Sequence, residues 1–364
     1  PYFQDFLEKK DESEYKDLFI RYKDFWPTGE PTEVDVDLIY KRKPRAPYVE
    51  VTFKDGTKEK VWCTFDEQQI DLDVTTETTK KFGKDNLTFL ADKGADIWEM
   101  LNLSKEVVAP YGVTVLPEIH EHYSIQLKIA DKDYYVYDFA LPMLVLHALY
   151  SGQVNRLAHW LEICPRKQFT TLDTHDGIGV VDVKDLMTNE EAEMTRESLY
   201  SQGANVKKKY SSAAYNNLDI YQINCTYYSA LGNDDQAYLL ARAIQCFAPG
   251  IPQIYYVGLF AGENDIELLE STKEGRNINR HYYSKDEIAA EVQRPVVQKL
   301  FALLKFRNSC PAFNGEIKIE QGSENELNIT WKNENSVAKL EANLLTKEYT
   351  ILAGENEANI AKVF

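Results

Sequence analysis

The chain has 364 residues, with 58 acidic against 41 basic side chains and a net charge of −17. That length can bury a large core and suits one big catalytic domain with appendages, or two to three ordinary domains. The charge argues against a nucleic-acid partner, which would need clustered Lys and Arg; Lys207-Lys208-Lys209 is too short a run to reverse the balance and reads as a solvated turn.

No apolar run reaches the roughly 18 residues of a membrane span, and no charged-then-apolar leader opens the chain, so neither a membrane partner nor secretion is expected. The cysteines Cys63, Cys164, Cys225, Cys246 and Cys310 are scattered, odd in number and free of paired CxxC spacing. They indicate neither a disulfide framework nor a zinc knuckle and fit a reducing, cytoplasmic setting. Tyrosine is abundant at 23 residues. Amphipathic aromatics suit the faces and edges of sugars, although aromatics are first of all core material.

Residues 1–85 are charged and broken by Pro27, Pro31, Pro44 and Pro47. Alternating runs over 48–53 and 60–65 flank Asp55-Gly56 and predict a hairpin within a small α+β lobe. A helix is expected from Thr76 to about Lys93. Over 86–308, short apolar runs at 113–118, 134–139, 169–172 and 251–257 alternate with helical patterns at 142–151, 235–247 and 287–306. Such alternation predicts an α/β fold with a buried parallel sheet, and acids at strand ends favour the (β/α)8 TIM-barrel type over a doubly wound sheet. The stretch from about 178 to 233 is too long for a βα loop and carries its own helical pattern, which predicts a lid or specificity element. Over 309–364, alternating segments at 317–320 and 327–331 predict a closing antiparallel β domain.

The stretch 167–180 is the most informative: an apolar-leaning strand pattern ends in His175-Asp176 followed by Gly177 and Gly179. Upstream, 113–118 repeats the design with Glu118. Two strands that each end in an acid can aim both acids at one bond, the apparatus of glycosidic cleavage. Alone, Asp176 before Gly177 would read as a strand-end cap. The matching position of Glu118 and the donor cluster from Gly275 to His281 lift the catalytic reading. On a strand Glu118, His120 and His122 would project to one face. That trio is open to three readings: an acid/base catalyst with flanking substrate contacts, a structural polar cluster, or a metal site, for which HExxH spacing and a fourth ligand are lacking.

Together these residues resemble the sucrose phosphorylases of the α-amylase superfamily, glycoside hydrolase family 13. The resemblance covers nearly the whole chain, and its most specific stretches are 174–180, 217–224, 249–258 and 275–283. It implies conversion of sucrose and inorganic phosphate to α-D-glucose 1-phosphate and fructose, with retention and with neither cofactor nor metal. An aspartate would attack the anomeric carbon, a glutamate would protonate the leaving fructose, and phosphate would resolve the glucosyl-enzyme. Glu118 matches the acid/base and Asp176 the third carboxylate, with His175 beside it. His120 and Arg276 match substrate contacts, and Phe65 and Gln69 would line the glucosyl pocket. Asp219, Tyr221 and Gln222 fall on the loop that alternates between fructose and phosphate, and Arg42 sits where a phosphate-facing arginine is expected.

The chain departs from this pattern where the nucleophile should stand. The family carries it in an Arg-Leu-Asp-Ala motif on the fourth barrel strand, and no such motif occurs here; Leu90 to Asp96 runs directly into Ile97 to Leu101. The first three strands are also unmatched, so strands five to eight of an incomplete barrel are placed, with residues 1–85 as an inserted lobe. A partial record of a functional enzyme and the product of a decayed or rearranged gene both fit, and the intact motifs on either side of each loss favour the first. The rival functions are a related phosphorylase for sucrose 6'-phosphate or glucosylglycerate, a non-catalytic sugar-binding remnant, and a metal-dependent hydrolase built on Glu118, His120 and His122.

Overall fold

The computed structural model describes residues 2–25, 48–63, 70–73, 75–92, 97–204, 222–272 and 275–364. Contacts divide the chain into two compact units, Pro1–Thr114 with Tyr210–Asn216, and Val115–Lys209 with Asn217–Phe364. The C-terminal sheet falls in the same unit as the parallel strands.

In the first unit, helix α1 (Tyr2–Lys9) lies against a hairpin of β1 (Tyr48–Thr52) and β2 (Lys58–Trp62), paired in the register Tyr48↔Trp62 to Thr52↔Lys58. The turn forms where expected, and Asp55 Oδ1 accepts from the Thr57 amide at 2.8 Å to close it. Phe6 is fully buried among Leu18, Phe19, Phe53 and Val61. Above this core Arg21, 7% exposed, spends its fork on Glu59 and Asp11 at 2.5–2.9 Å. The described residues of this unit also include helices α2 (Glu77–Asp92) and α3 (Ile97–Val108).

The second unit begins with α4 (Tyr123–Asp131). The parallel strands β3 (Val136–Asp138), β4 (Gln168–Thr170) and β7 (Ile251–Pro252) pair in the order β3-β4-β7. Between the first two lie α5 (Leu141–Ser151) and α6 (Asn155–Ile163). After β4 come β5 (Ile178–Gly179), α7 (Asn189–Ser201) and β6 (Gln222–Ile223), with β5 and β6 paired antiparallel. Helix α8 (Asp235–Phe247) follows and then β7. Helix α7 starts with a capping box, Thr188 accepting from the Glu191 amide and Glu191 from that of Thr188. At α8, Asp234 caps the amides of Gln236 and Ala237.

Three expected elements differ. The 113–118 run forms no strand: a strand is defined by its ladder, Pro117 lacks a donor, and the described residues offer no partner. The 251–257 run pairs with β4 at Ile251 and Pro252 alone and then turns helical over Tyr256–Leu259. The single helix expected over 287–306 is two, α10 (Lys285–Glu291) and α11 (Pro295–Ser309), after the short α9 (Ile266–Thr272). Pro295 forces Arg294 out of the helical region, to φ −65° and ψ 135°, and starts a new helix at its own position.

The expected closing β domain is a five-stranded meander, β8 (Glu316–Gln321), β9 (Glu326–Asn333), β10 (Ser336–Asn343), β11 (Tyr349–Asn356) and β12 (Asn359–Lys362), every neighbour antiparallel. Its alternating inward residues Leu327, Ile329 and Trp331 enter the main core. Trp331 donates to the Phe247 carbonyl at the end of α8 at 2.7 Å, and Phe313 meets Phe247 edge-on at 5.0 Å.

At the end of β3, Asp138 is fully buried and gathers four elements. It accepts from the Leu141 amide of α5 at 3.0 Å, from Trp160 Nε1 of α6 at 3.1 Å and from Gln168 Nε2 of β4 at 3.2 Å. Burial still wins over these donors and pushes its carboxyl up to about 7.

Two outcomes are expected. Trp331→Ala should lower the unfolding free energy by about 3–5 kcal/mol through lost packing and an orphaned carbonyl, and Trp331→Phe by only about a third of that; urea titration followed by far-UV circular dichroism measures both. Asp138 titrates higher folded (about 7) than unfolded (about 3.9), so between these values the unfolded chain has released a proton that the folded chain keeps. Stability should therefore fall as pH rises from about 4 to about 7, by up to about 1.4 kcal/mol per pH unit, and level off above. Asp138→Asn should lose that slope, and urea midpoints of both proteins from pH 4.5 to 8 would show parallel curves if the assignment is wrong.

Candidate active site

After β4 the chain continues through Thr171 and Leu172, both buried, to Asp173, Thr174, His175 and Asp176. Asp173 is anchored from behind. Its Oδ2 receives Arg242 of α8 at 2.7 Å, and Arg242 is itself fully buried, with further bonds to the Tyr238 hydroxyl at 2.8 Å and to Gln245 Oε1 at 2.8 Å. Gly258 lets this pair close: a Cβ there would lie 2.0 Å from Asp173 Oδ2 and 2.1 Å from an Arg242 nitrogen.

The next turn is held by the segment 275–280. Asn279, 2% exposed, donates from Nδ2 to the carbonyls of Thr174 at 2.9 Å and Asp176 at 2.6 Å, and Arg280 Nε donates to the His175 carbonyl at 2.7 Å. With its backbone fixed, the Asp176 carboxylate meets Arg276 at 2.9 Å, Arg280 at 3.5 Å and His175 Nε2 at 3.6 Å. Bonds of this kind orient a carboxylate while leaving lone pairs for a ligand.

Asp176 faces a cavity of about 150 Å³ whose walls include Glu118, His120, Tyr137, Phe139, Asp173, His175 and Tyr255. That is below the ~300 Å³ of drug-sized pockets and suits one small ring. Its mix of aromatic faces and carboxylates matches a sugar, which presents apolar C–H faces and hydroxyl edges. Two wider grooves of about 790 and 700 Å³ lie elsewhere in this unit, the first against β10 and β11 and the second against α9, and neither contains Glu118 or Asp176.

The structure thus brings Glu118, His120, His175 and Asp176 to one cavity, sets Arg276 on Asp176, and places Gln222 Nε2 3.3 Å from His120 Nε2. Arg42, Phe65, Gln69, Asp219 and Tyr221 lie outside the described residues. The shared strand face expected of Glu118, His120 and His122 is absent, because no strand forms there. His122 instead caps α4, its Nδ1 accepting from the Ser124 amide, and its Nε2 pairs with Asp185 at 2.9 Å. Among the described residues no three His, Cys, Asp or Glu side chains gather as a metal site requires.

Sequence reasoning missed Asp173, Asp182 and Tyr137. Asp173 depends on Arg242, 69 residues away, and no local pattern announces that pairing. Asn279 and Arg280 had a signal in the donor-rich run 275–281, although their grip on the 174–176 backbone required the fold.

Parallel strands joined through helices, with a carboxylate turn after one strand and a second carboxylate across a sugar-sized cavity, define a carbohydrate-active α/β enzyme of the barrel type. The solved structure of sucrose 6F-phosphate phosphorylase from Thermoanaerobacter thermosaccharolyticum matches all of this chain and 80% of its own, with a TM-score of 0.75 and 39% identity. The α-amylase of H. orenii matches 94% of this chain and 67% of its own at a TM-score of 0.51 and 14% identity, a likeness of fold alone. No family model matches. In sequence the chain is 55% identical to the sucrose phosphorylase of Streptococcus mutans over 99% of its length, covering 80% of that protein. The chain belongs to the sucrose phosphorylase family, hexosyltransferases with the α-amylase-type barrel fold and a C-terminal antiparallel sheet. The alignment spans 388 residues, more than the 364 of this chain, so the relative carries residues within the aligned span that have no counterpart here.

Arg242→Met should strand the Asp173 carboxylate and cost about 3–5 kcal/mol, whereas adding Asp173→Leu should restore most of the loss. A urea-denaturation double-mutant cycle measures this, and a double variant as unstable as the sum of the singles would show that the pair is not the anchor.

Proposed function

We propose that the cavity at Glu118 and Asp176 serves glucosyl transfer from sucrose to inorganic phosphate, giving α-D-glucose 1-phosphate and fructose. The observation that carries this reading is the convergence of the two carboxylates on one sugar-sized cavity, with Arg276 clamped to Asp176. The names of the relatives supply the substrate: the Streptococcus mutans protein is a sucrose phosphorylase at 55% identity. The sucrose 6F-phosphate phosphorylase stands further off at 39% and makes the phosphorylated donor the second reading. A net charge of −17 speaks against a polyanionic partner, and the lack of disulfides among the five cysteines fits a reducing compartment such as the cytoplasm.

Each residue has a task in this reading. Glu118 gives its proton to the glycosidic oxygen as fructose departs and takes one from the incoming acceptor. Asp176, oriented by Arg276 and Arg280, accepts hydrogen bonds from sugar hydroxyls and stabilises the cationic transition state. His120 and His175 flank the ring, and Gln222 adjoins the acceptor side. Arg42, Phe65, Gln69, Asp219 and Tyr221 are assigned by resemblance to phosphate, the glucosyl pocket and the acceptor loop.

The nucleophile has no match, because no Arg-Leu-Asp-Ala motif occurs in the chain. Losing one member of a concerted set costs on the order of 10⁴ to 10⁶ in rate, so these 364 residues are expected to bind sugar and to turn over poorly. The test is incubation of the purified chain with sucrose and phosphate and assay of glucose 1-phosphate, with Glu118→Gln as the matched control and calorimetric titration of sucrose alongside. Binding without product above the control is the expected result. Product that Glu118→Gln abolishes would mean that another carboxylate acts as nucleophile, and absence of both binding and product would overturn the assignment of the cavity.

A further inference from the structure

Behind the cavity wall, two buried polar atoms face each other without a partner. His120 Nδ1 and Asp182 Oδ2 make no hydrogen bond among the described residues, yet they lie 3.7 Å apart. Asp182 is 2% exposed and does not line the cavity. Buried polar atoms are rarely left unsatisfied, and a shift of under an ångström that brings these two together satisfies both. The site is built for that approach. A Cβ on Gly179 would lie 2.2 Å from Asp182 Oδ2, so only glycine admits the carboxylate there. The His120 ring is stacked on Phe139 at 3.9 Å and 20°, which limits it to motion within its own plane.

The other edge of the ring meets Gln222. His120 Nε2 lies 3.3 Å from Gln222 Nε2, and Gln222 is paired with Gly179 in the β5–β6 ladder. An amide nitrogen can only donate and a neutral imidazole has one donor and one acceptor, so the two contacts constrain each other. If Nδ1 carries the proton for Asp182, Nε2 must accept from the Gln222 amide. With the opposite tautomer, Asp182 Oδ2 stays unpaired and the Gln222 nitrogen faces an N–H.

We infer that Asp182 is a positioning residue that holds His120 as its Nδ1–H tautomer, so that Nε2 accepts from the side-chain amide of Gln222. Asp182 acts through His120, and the chain Asp182–His120–Gln222 fixes which end of the Gln222 amide is engaged and which is left to accept from an entering hydroxyl. The catalytic weight of this arrangement rests on the reading of the cavity as a glycosyl site, whereas the tautomer itself does not.

The test is a two-bond proton–nitrogen correlation spectrum of the full chain labelled with ¹⁵N-histidine, recorded without sugar at pH 8, with His120→Gln assigning the His120 signals by their loss. The expected wild-type pattern has Nδ1 protonated and Nε2 unprotonated. Asp182→Leu should exchange those positions, and Asp182→Asn, whose amide oxygen can still accept, should keep the wild-type pattern. A wild-type spectrum with Nε2 protonated overturns the inference even if Asp182→Leu does not fold, and so does persistence of the Nδ1–H form in Asp182→Leu. Because no turnover or ligand enters the measurement, its failure is separate from a failure of the sucrose assignment.

Discussion

A carboxylate buried without compensation is among the costliest things a core can hold, and the parallel sheet places two at neighbouring strand ends, Asp138 as the last residue of β3 and Asp173 shortly after β4. The two are accommodated differently. Asp138 is surrounded by neutral donors from α5, α6 and β4, while burial holds its carboxyl well above the usual carboxylate range. Asp173 is met by Arg242, which is fully buried, as deeply as any of the described residues. Much of the second unit follows from these two solutions. The amino end of α5, the ring of Trp160, the face of α8 and the bareness of Gly258 all serve them.

The candidate site inherits its precision from that arrangement. Asp176 is three residues beyond Asp173, so anchoring the one limits where the other can go. Asn279 and Arg280 then hold the intervening carbonyls from the outside. Rigid support of this kind matters because a carboxylate displaced by about an ångström loses most of its value to a transition state. Arg276 and Arg280 do double duty, setting the position of Asp176 and surrounding it with positive charge.

How far the fold was legible depended on whether the signal was local. The helix 235–247, the hairpin around Asp55-Gly56 and the closing β meander were all readable, because periodicity and turn chemistry act over a few residues. The run 113–118 looked like a strand by composition, yet a ladder needs a neighbour, which a single segment cannot reveal. Pro295 divides the last long helical pattern, because a proline at the first position starts a helix and keeps its predecessor out of one. At the site, Glu118, Asp176 and Arg276 were named from pattern and resemblance, and the structure gathers them. Their supports, Asp173 with Arg242 and Asp182 with His120, join residues tens of positions apart and stayed invisible until the chain was folded.

Helix α8 is buried at every residue from Ala237 to Phe247, a condition met only when both sides of a helix are covered. One side carries Arg242 towards the strand ends, while the final turn is covered by Trp331 and Phe313 of the C-terminal part, with Arg307 bonded to the Cys246 carbonyl at 2.7 Å. The C-terminal sheet is therefore not a separable module. Cutting it away would wet the helix that neutralises Asp173, so in this architecture gene fusions and losses that shuffle β domains freely elsewhere would strike at the turn that carries Asp176.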